Sequence, residues 1–151
     1  MTSEPAQPKM MPALMLPPTE ITQFFWDAAR EHRLVIQRCD DCGRYIHWPQ
    51  VRCPRCQSER LSPAEVSGKG KIYSFCVVHH VFAPMFAEAV PYSLAIVELE
   101  EQSGLRMLTN IVDCRPHEAL YIGMPVEVTF EDRDGHTLPQ FRPAADVGVR
   151  P

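Results

Sequence analysis

Two cysteine pairs, Cys39-Asp-Asp-Cys42 and Cys53-Pro-Arg-Cys56, are separated by ten residues in this chain of 151. Each C-x-x-C turn aims two thiolates at one point, and two such turns supply the four ligands of a closed tetrahedral site. A closed cage suits Zn²⁺ in a structural role, because no position stays open for water or substrate. The flanks fit this geometry: Gly43 follows the first pair, where a metal knuckle needs a backbone conformation that glycine reaches without strain. Pro54 stiffens the second turn. Two disulfides are the competing use of these thiols, and iron fits the same four-sulfur cage. Metal-type spacing without a signal-peptide pattern near the start points to the reducing cytoplasm.

Little else is arranged for catalysis. Cys76 and Cys114 belong to apolar strand-like runs, where a thiol behaves as a small hydrophobe. His79-His80 closes another such run, and adjacent strand residues face opposite sides, so at most one can point into a given site. A side chain that titrates near neutrality permits a functional role without establishing one. The four paired thiolates are consumed as metal ligands. The chain is therefore expected to perform no chemistry alone.

Charge narrows the partners. The net charge is −4, but residues 27–60 carry seven Arg against five acids, whereas residues 61–151 carry seven basic residues against twelve acids. A protein that tracks phosphates shows a basic stripe, and none is visible here. Nucleic acid is thus not the expected partner, although zinc ribbons and OB folds both bind it on other scaffolds. Rings such as Tyr73, Phe75 and Tyr92 lie in the acidic half, outside the basic groove that single strands require. No run of about 18 apolar residues occurs, so no membrane span is expected.

The elements that must position these residues follow from periodicity. Residues 1–18 read as an extended, Pro-rich arm whose methionines and Leu14 and Leu16 offer apolar contacts. Residues 19–33 read as a helix capped by Thr19, with Ile21, Phe24, Phe25, Ala28 and Ala29 on one stripe. Three consecutive aromatics, Phe24, Phe25 and Trp26, cannot all face that stripe, which makes them a candidate contact surface. Residues 34–62 form the zinc ribbon and residues 63–143 a β barrel, followed by a tail at 144–151. Strands are expected at 71–80, 92–100, 105–113, 125–131 and 138–141, with a helical turn at 116–120 and an Asp134-Gly135 turn. Five strands with one short helix between the third and fourth is the order of an OB barrel. Between the first two strands, residues 81–90 are apolar for a loop, with Phe82, Met85 and Phe86 around Pro84. Loops lie at the surface, and an exposed apolar patch marks interaction.

The order of motifs carries a resemblance. A helix precedes L-V-I-Q-R-C-x-x-C-G and C-P-R-C; G-K-G-K-I-Y-S-F, P-Y-S-L-A-I-V-E-L, T-N-I-V, I-G-M-P-V-E-V and F-R-P follow. This series, covering roughly residues 19–143, resembles the zinc-ribbon OB-fold proteins of domain-of-unknown-function family thirty-five. The resemblance implies a rubredoxin-like ribbon on an OB barrel, mainly β, and an accessory subunit of a thiolase-like enzyme, aldolase or synthase acting on CoA thioesters. A role in lipid or aromatic degradation would follow, with no acyl group singled out. If the chain touches CoA, phosphates call for Arg or Lys, and Lys69, Lys71, Arg106 and Arg142 are the candidates.

Overall fold

The computed structural model describes residues 17–114, 117–133 and 135–145. The expected arm before Pro17, the tail after Ala145, and Pro116 and Asp134 of the two expected turns lie outside the described residues.

Helix α1 spans Gln23–Arg30 and starts later than Thr19. The Thr19 carbonyl instead closes a preceding turn, accepting from the backbone N–H groups of Thr22 and Gln23 at 3.0 and 2.9 Å. The stripe places Phe25, Ala28 and Ala29 in the core, while Ile21 stays 41% exposed. The helix stops at His32, whose φ of 56° is left-handed, as the Arg33 N–H reaches back to the Ala28 carbonyl. Glycine is usual there. His32 is held by stacking on Phe130, with ring centroids 5.3 Å apart, and by pairing with Asp132 at 3.0 Å.

The chain then builds a three-stranded antiparallel sheet from β1 (Val35–Cys39), β2 (Tyr45–Ile46) and β3 (Leu61–Glu65), in the order β2-β1-β3. β3 pairs with β1 along its whole length, from Val35 opposite Glu65 to Cys39 opposite Leu61. Central β1 buries Val35, Ile36 and Gln37. The Gln37 amide is satisfied by the backbone of Gln50, donating at 3.0 Å and accepting at 2.8 Å.

The barrel comprises β4 (Lys69–Val78), β5 (Tyr92–Leu99), β6 (Arg106–Asn110), β7 (Pro125–Arg133) and β8 (His136–Pro143), in the order β6-β5-β4-β7-β8. Long β4 serves two partners: Lys69, Gly70 and Lys71 pair with β7, and Gly70 through Val78 with β5 across a bulge between Ile72 and Ser74. Such a bulge bends a strand and sharpens its twist, which lets one strand turn the corner of a barrel. The edge strands nearly close through a bridge between Ile111 and Phe141 and a 2.8 Å bond from Val112 N–H to Phe141 O. A short 3₁₀ turn, His117–Ala119, separates β6 from β7, in the expected place. The expected OB topology is therefore present.

One continuous core joins the parts. Phe25 from α1 and Leu34 and Ile36 from the ribbon pack in the same cluster as Ile72, Val97, Val126 and Phe141 of the barrel. Polar stitches add to it: the Tyr45 backbone donates to the Gln102 side chain at 2.9 Å and accepts from it at 3.1 Å. A separate small cluster of Cys39, Ile46 and Cys53 surrounds the paired cysteines. No described helix is long and apolar enough to cross a membrane.

Candidate metal centre and interaction surfaces

β1 delivers Cys39 to the start of a tight turn in which the Gly43 N–H bonds the Cys39 carbonyl at 2.9 Å. The second knuckle repeats it, with the Gln57 N–H on the Cys53 carbonyl at 2.9 Å. The residue after each pair is left-handed, Gly43 at φ +72° and Gln57 at +63°, so glycine meets this requirement in one knuckle and a strained glutamine in the other. The Sγ atoms of Cys39, Cys42, Cys53 and Cys56 all lie within 4.8 Å of one another. Two pairs, Cys39 with Cys56 and Cys42 with Cys53, are 3.6 Å apart. A tetrahedron with Zn–S bonds of about 2.3 Å has edges of about 3.8 Å, so the cage fits the ion. All four thiols are free of disulfides.

The proton balance of the cage also asks for a cation. Burial opposes ionisation of Cys53, but backbone N–H groups of Cys56 and Arg55 and the thiols of Cys42 and Cys56 outweigh it and hold the group down to about 6. At Cys56 the Ser58 N–H favours the thiolate, yet burial and the three neighbouring sulfurs push the thiol up to about 12. One thiolate forms readily; the last does not without a positive ion among them. The chain binds Zn²⁺ structurally through these four cysteines.

The apolar loop follows the expectation only partly as a unit. Residues 84–86 form one 3₁₀ turn that lifts Phe82 to 73% exposure and Met85 to 49%. Phe86 instead folds back to stack on Tyr92, with centroids 6.3 Å apart. In α1 the aromatics divide. Phe25 is 2% exposed, so its place in an expected contact surface is corrected: its ring fills the core between α1 and the barrel, out of reach of a partner. Phe24 and Trp26 are half-buried against that core. Trp26 also lines an open cleft of 540 Å³ over the β6–β8 seam, together with His47, Trp48, Leu108 and Leu138.

This cleft was not signalled by any motif. Trp48 is 43% and Leu108 65% exposed there, and the His47 ring packs between Phe25 and Trp48 at centroid distances of 6.0 and 4.9 Å. Burial pushes His47 down to about 4, and its Nδ1 has no hydrogen-bond partner. The sequence hints were Trp26 in the aromatic run of α1 and the adjacent His47 and Trp48, and neither says which residues meet across the molecule.

Two of the four candidate cations, Lys69 and Lys71, line a second cleft of 740 Å³ together with Glu98, Glu100 and Glu127; Arg106 and Arg142 do not line it but pair with its acids. Glu98 takes Arg106 at 3.2 Å and Lys71 at 3.7 Å; its carboxyl is held below the usual range first by the Gly104 N–H, then by Arg106. Arg106 also stacks over the Tyr73 ring at 3.5 Å, and Arg142 pairs with Glu127 at 3.0 Å. Cys76 is exposed, in correction of its expected burial, because the bulge in β4 turns it to the outer face. Cys114 is buried, and burial pushes its thiol up. Among the described residues no histidine hydrogen-bonds to either thiol. His79 and His80 are both exposed, the latter edge-on to Phe82 at 5.0 Å.

Comparison with known proteins agrees with this architecture. Residues 26–62 match the family model "ChsH2, rubredoxin-like zinc ribbon domain", and residues 64–131 match "ChsH2, C-terminal OB-fold domain". A DUF35 domain-containing scaffold protein of Methanocaldococcus jannaschii is 41% identical over 107 residues, 70% of this chain and 73% of its own length. A probable enoyl-CoA hydratase alpha subunit of Thermomonospora curvata is 43% identical over 122 residues, 80% of this chain; the match spans only 37% of that longer protein. A solved structure named "Ltp2-ChsH2(DUF35) aldolase" superposes with a TM-score of 0.77 at 39% identity, covering 87% of this chain and 100% of the other. Ribbon, barrel and relatives of matching length together place the chain in the DUF35 family of zinc-ribbon OB-fold proteins.

Proposed function

We propose that the chain is a non-catalytic accessory subunit of a thiolase-like enzyme, a thiolase, aldolase or synthase acting on CoA thioesters. The observation that carries this reading is the loop at residues 81–90, which holds Phe82 at 73% exposure beside an equally uncharged Met85. Val81, Phe82 and Met85 are exposed together there, and a contiguous exposed apolar patch marks an interaction site. The site lacks what turnover would need, since a thiolase depends on a low-pKa cysteine with a base beside it. Names of relatives support the setting: one is a scaffold, one a CoA hydratase alpha subunit and one part of an aldolase. Zinc holds the ribbon and takes no part in the reaction. Of the four cations, Lys69 and Lys71 line the 740 Å³ cleft on the side offered to a CoA phosphate, Lys71 sharing Glu98 with Arg106, whereas Arg142 is engaged by Glu127.

The test is reconstitution. The purified zinc-loaded chain is expected to show no thiolase, aldolase or thioesterase turnover by itself, and to raise the activity or solubility of a thiolase-like subunit with which it co-purifies. Phe82→Glu is expected to weaken that assembly at least tenfold with zinc content unchanged. Robust turnover of a CoA thioester by the isolated chain overturns the reading, and salt-sensitive, sub-micromolar binding of single-stranded RNA replaces it with a nucleic-acid module.

A further inference from the structure

The outward side of β5 is apolar where a barrel strand is ordinarily polar, and Leu108 of β6 continues it between Arg106 and Asn110. Along β5 the inward positions Ser93, Ala95, Val97 and Leu99 are buried at 2% exposure or less. The alternate positions, Tyr92, Leu94, Ile96 and Glu98, therefore face out, and only the last is charged. Register extends the pattern sideways. Leu94 lies opposite Cys76 and Asn110, and Ile96 opposite Ser74 and Leu108. A half-solvated antiparallel strand alternates apolar-in with polar-out; this one, apart from the buried Ser93, is apolar on both faces until Glu98.

The face is continuous with two features already described. At one end, β4 and β5 run into the loop that exposes Phe82 and Met85, and Phe86 stacks on Tyr92. At the other, Leu108 shares its cleft with Trp48 and Trp26. Trp48, Tyr73, Val81, Phe82, Met85 and Leu108 are six of the nine large hydrophobics exposed among the described residues, and all lie on this band. OB barrels commonly bind oligonucleotides on their second and third strands and the loop joining the first two, which here are β5, β6 and residues 81–90. That chemistry needs a basic groove. The band has Arg106 at its margin, where Glu98 and the Tyr73 ring hold it.

We infer that the oligonucleotide face of the OB barrel is, in this chain, the docking surface for a protein partner, running from Trp48 across Leu108, Ile96 and Leu94 to the Phe82 loop. Area selects this extent. A stable interface takes about 20–30 residues, or about 800 Å², from each side, and the loop at 81–90 offers ten residues. The loop alone falls short of that size, and the sheet face and Trp48 extend it. The occupant is the thiolase-like subunit, a commitment that rests on the functional reading above.

The test compares two leucine-sized exposed residues in the full zinc-loaded chain: Leu108, 65% exposed on the band, and Ile122, 69% exposed off it. The probe is the thiolase-like subunit identified by mass spectrometry in the wild-type assembly and then purified. Leu108→Glu is expected to weaken its binding at least tenfold, with Ile122→Glu within twofold and one zinc retained in both. If Leu108→Glu misfolds, hydrogen exchange in the wild-type chain decides, with added partner expected to protect β5 and β6. Equal binding by Leu108→Glu, equal loss in both variants, or no protection of β5 and β6 overturns the inference and leaves the accessory role standing. Self-association of the wild-type chain abolished by Leu108→Glu, or oligo(dT) binding abolished by it, also overturns the inference, by giving the face to another occupant. A wild-type chain that assembles with no thiolase-like subunit overturns both.

Discussion

His47 shows how a single side chain acquires a property through its setting. Its imidazole is pressed between Phe25 and Trp48 with no partner on Nδ1, so burial favours the neutral ring and brings the group from 6.5 to about 4. The sign of the consequence follows from linkage. The unfolded chain takes up a proton near 6.5 and the folded chain only near 4, so the neutral-ring contribution is complete above pH 6.5 and is lost as pH falls toward 4. Between pH 7 and pH 5 this amounts to about 2 kcal/mol. His47→Gln is expected to lack that component. Denaturant titrations at both pH values with saturating zinc measure it, as the difference cancels acid effects common to both proteins. Parallel pH dependence in wild type and variant would show that the ring stays hydrated. The neighbouring chemistry is different in kind: the cysteines of the cage act as a set, and no one of them has a meaning without the other three.

At the scale of elements, β4 is the organiser. Its first residues pair with β7 and its remainder with β5, and it is reached through a glycine-rich entry. Gly68 is left-handed at φ +73°, and a Cβ placed on it would stand 2.3 Å from Val128 Cγ1. The close approach exists because the Val128 N–H donates to the Gly68 carbonyl at 2.7 Å, drawing β7 against the start of β4. Two costs therefore add in Gly68→Ala, a left-handed alanine and an overpacked valine, for about 2–4 kcal/mol in total. A thermal or denaturant melt checks it. The companion Gly68→Ala, Val128→Ala double variant separates the terms, since only the steric one is relieved. A loss under about 0.5 kcal/mol in the single variant would mean that the two strands part easily.

For the whole molecule, the decisive feature is that α1, the ribbon and the barrel share one core. Phe25, Leu34 and Ile36 lie in the same cluster as Ile72, Val97 and Phe141. The zinc end has a small buried cluster of its own, Cys39, Ile46 and Cys53, too little apolar surface to hold three short strands without metal. Metal and folding are therefore linked, with structural zinc contributing on the order of 10 kcal/mol in small ribbons. Cys53→Ser is expected to carry no stoichiometric zinc by elemental analysis. It should also lower the melting temperature of the barrel, since Leu34 and Ile36 belong to both units. Two separate transitions, the second at the wild-type temperature, would show that the ribbon is energetically detached. A rigid zinc-braced platform beneath Trp48 and Leu108 is also what a docking surface requires, because preorganised groups lose little freedom on binding.

The zinc ligands were legible in the sequence because chelation by C-x-x-C is local: a few residues of backbone set where both sulfurs point. The barrel was legible because alternation along residues 92–100 and 125–131 has a period of two whatever surrounds it. The family resemblance rested on the same short-range regularities strung in order. Tertiary packing decided the rest. It turned Phe25 inward and left Phe24 and Trp26 at the margin, a choice that depends on how α1 meets the barrel. It set Lys71 and Arg106 on Glu98, residues 27 and eight positions distant in sequence. It brought Trp48 of the ribbon beside Leu108 of the barrel. Periodicity records that a strand has two unlike faces; which groups meet across the molecule, and which apolar face remains for a partner, is settled only by contacts between residues far apart in the chain.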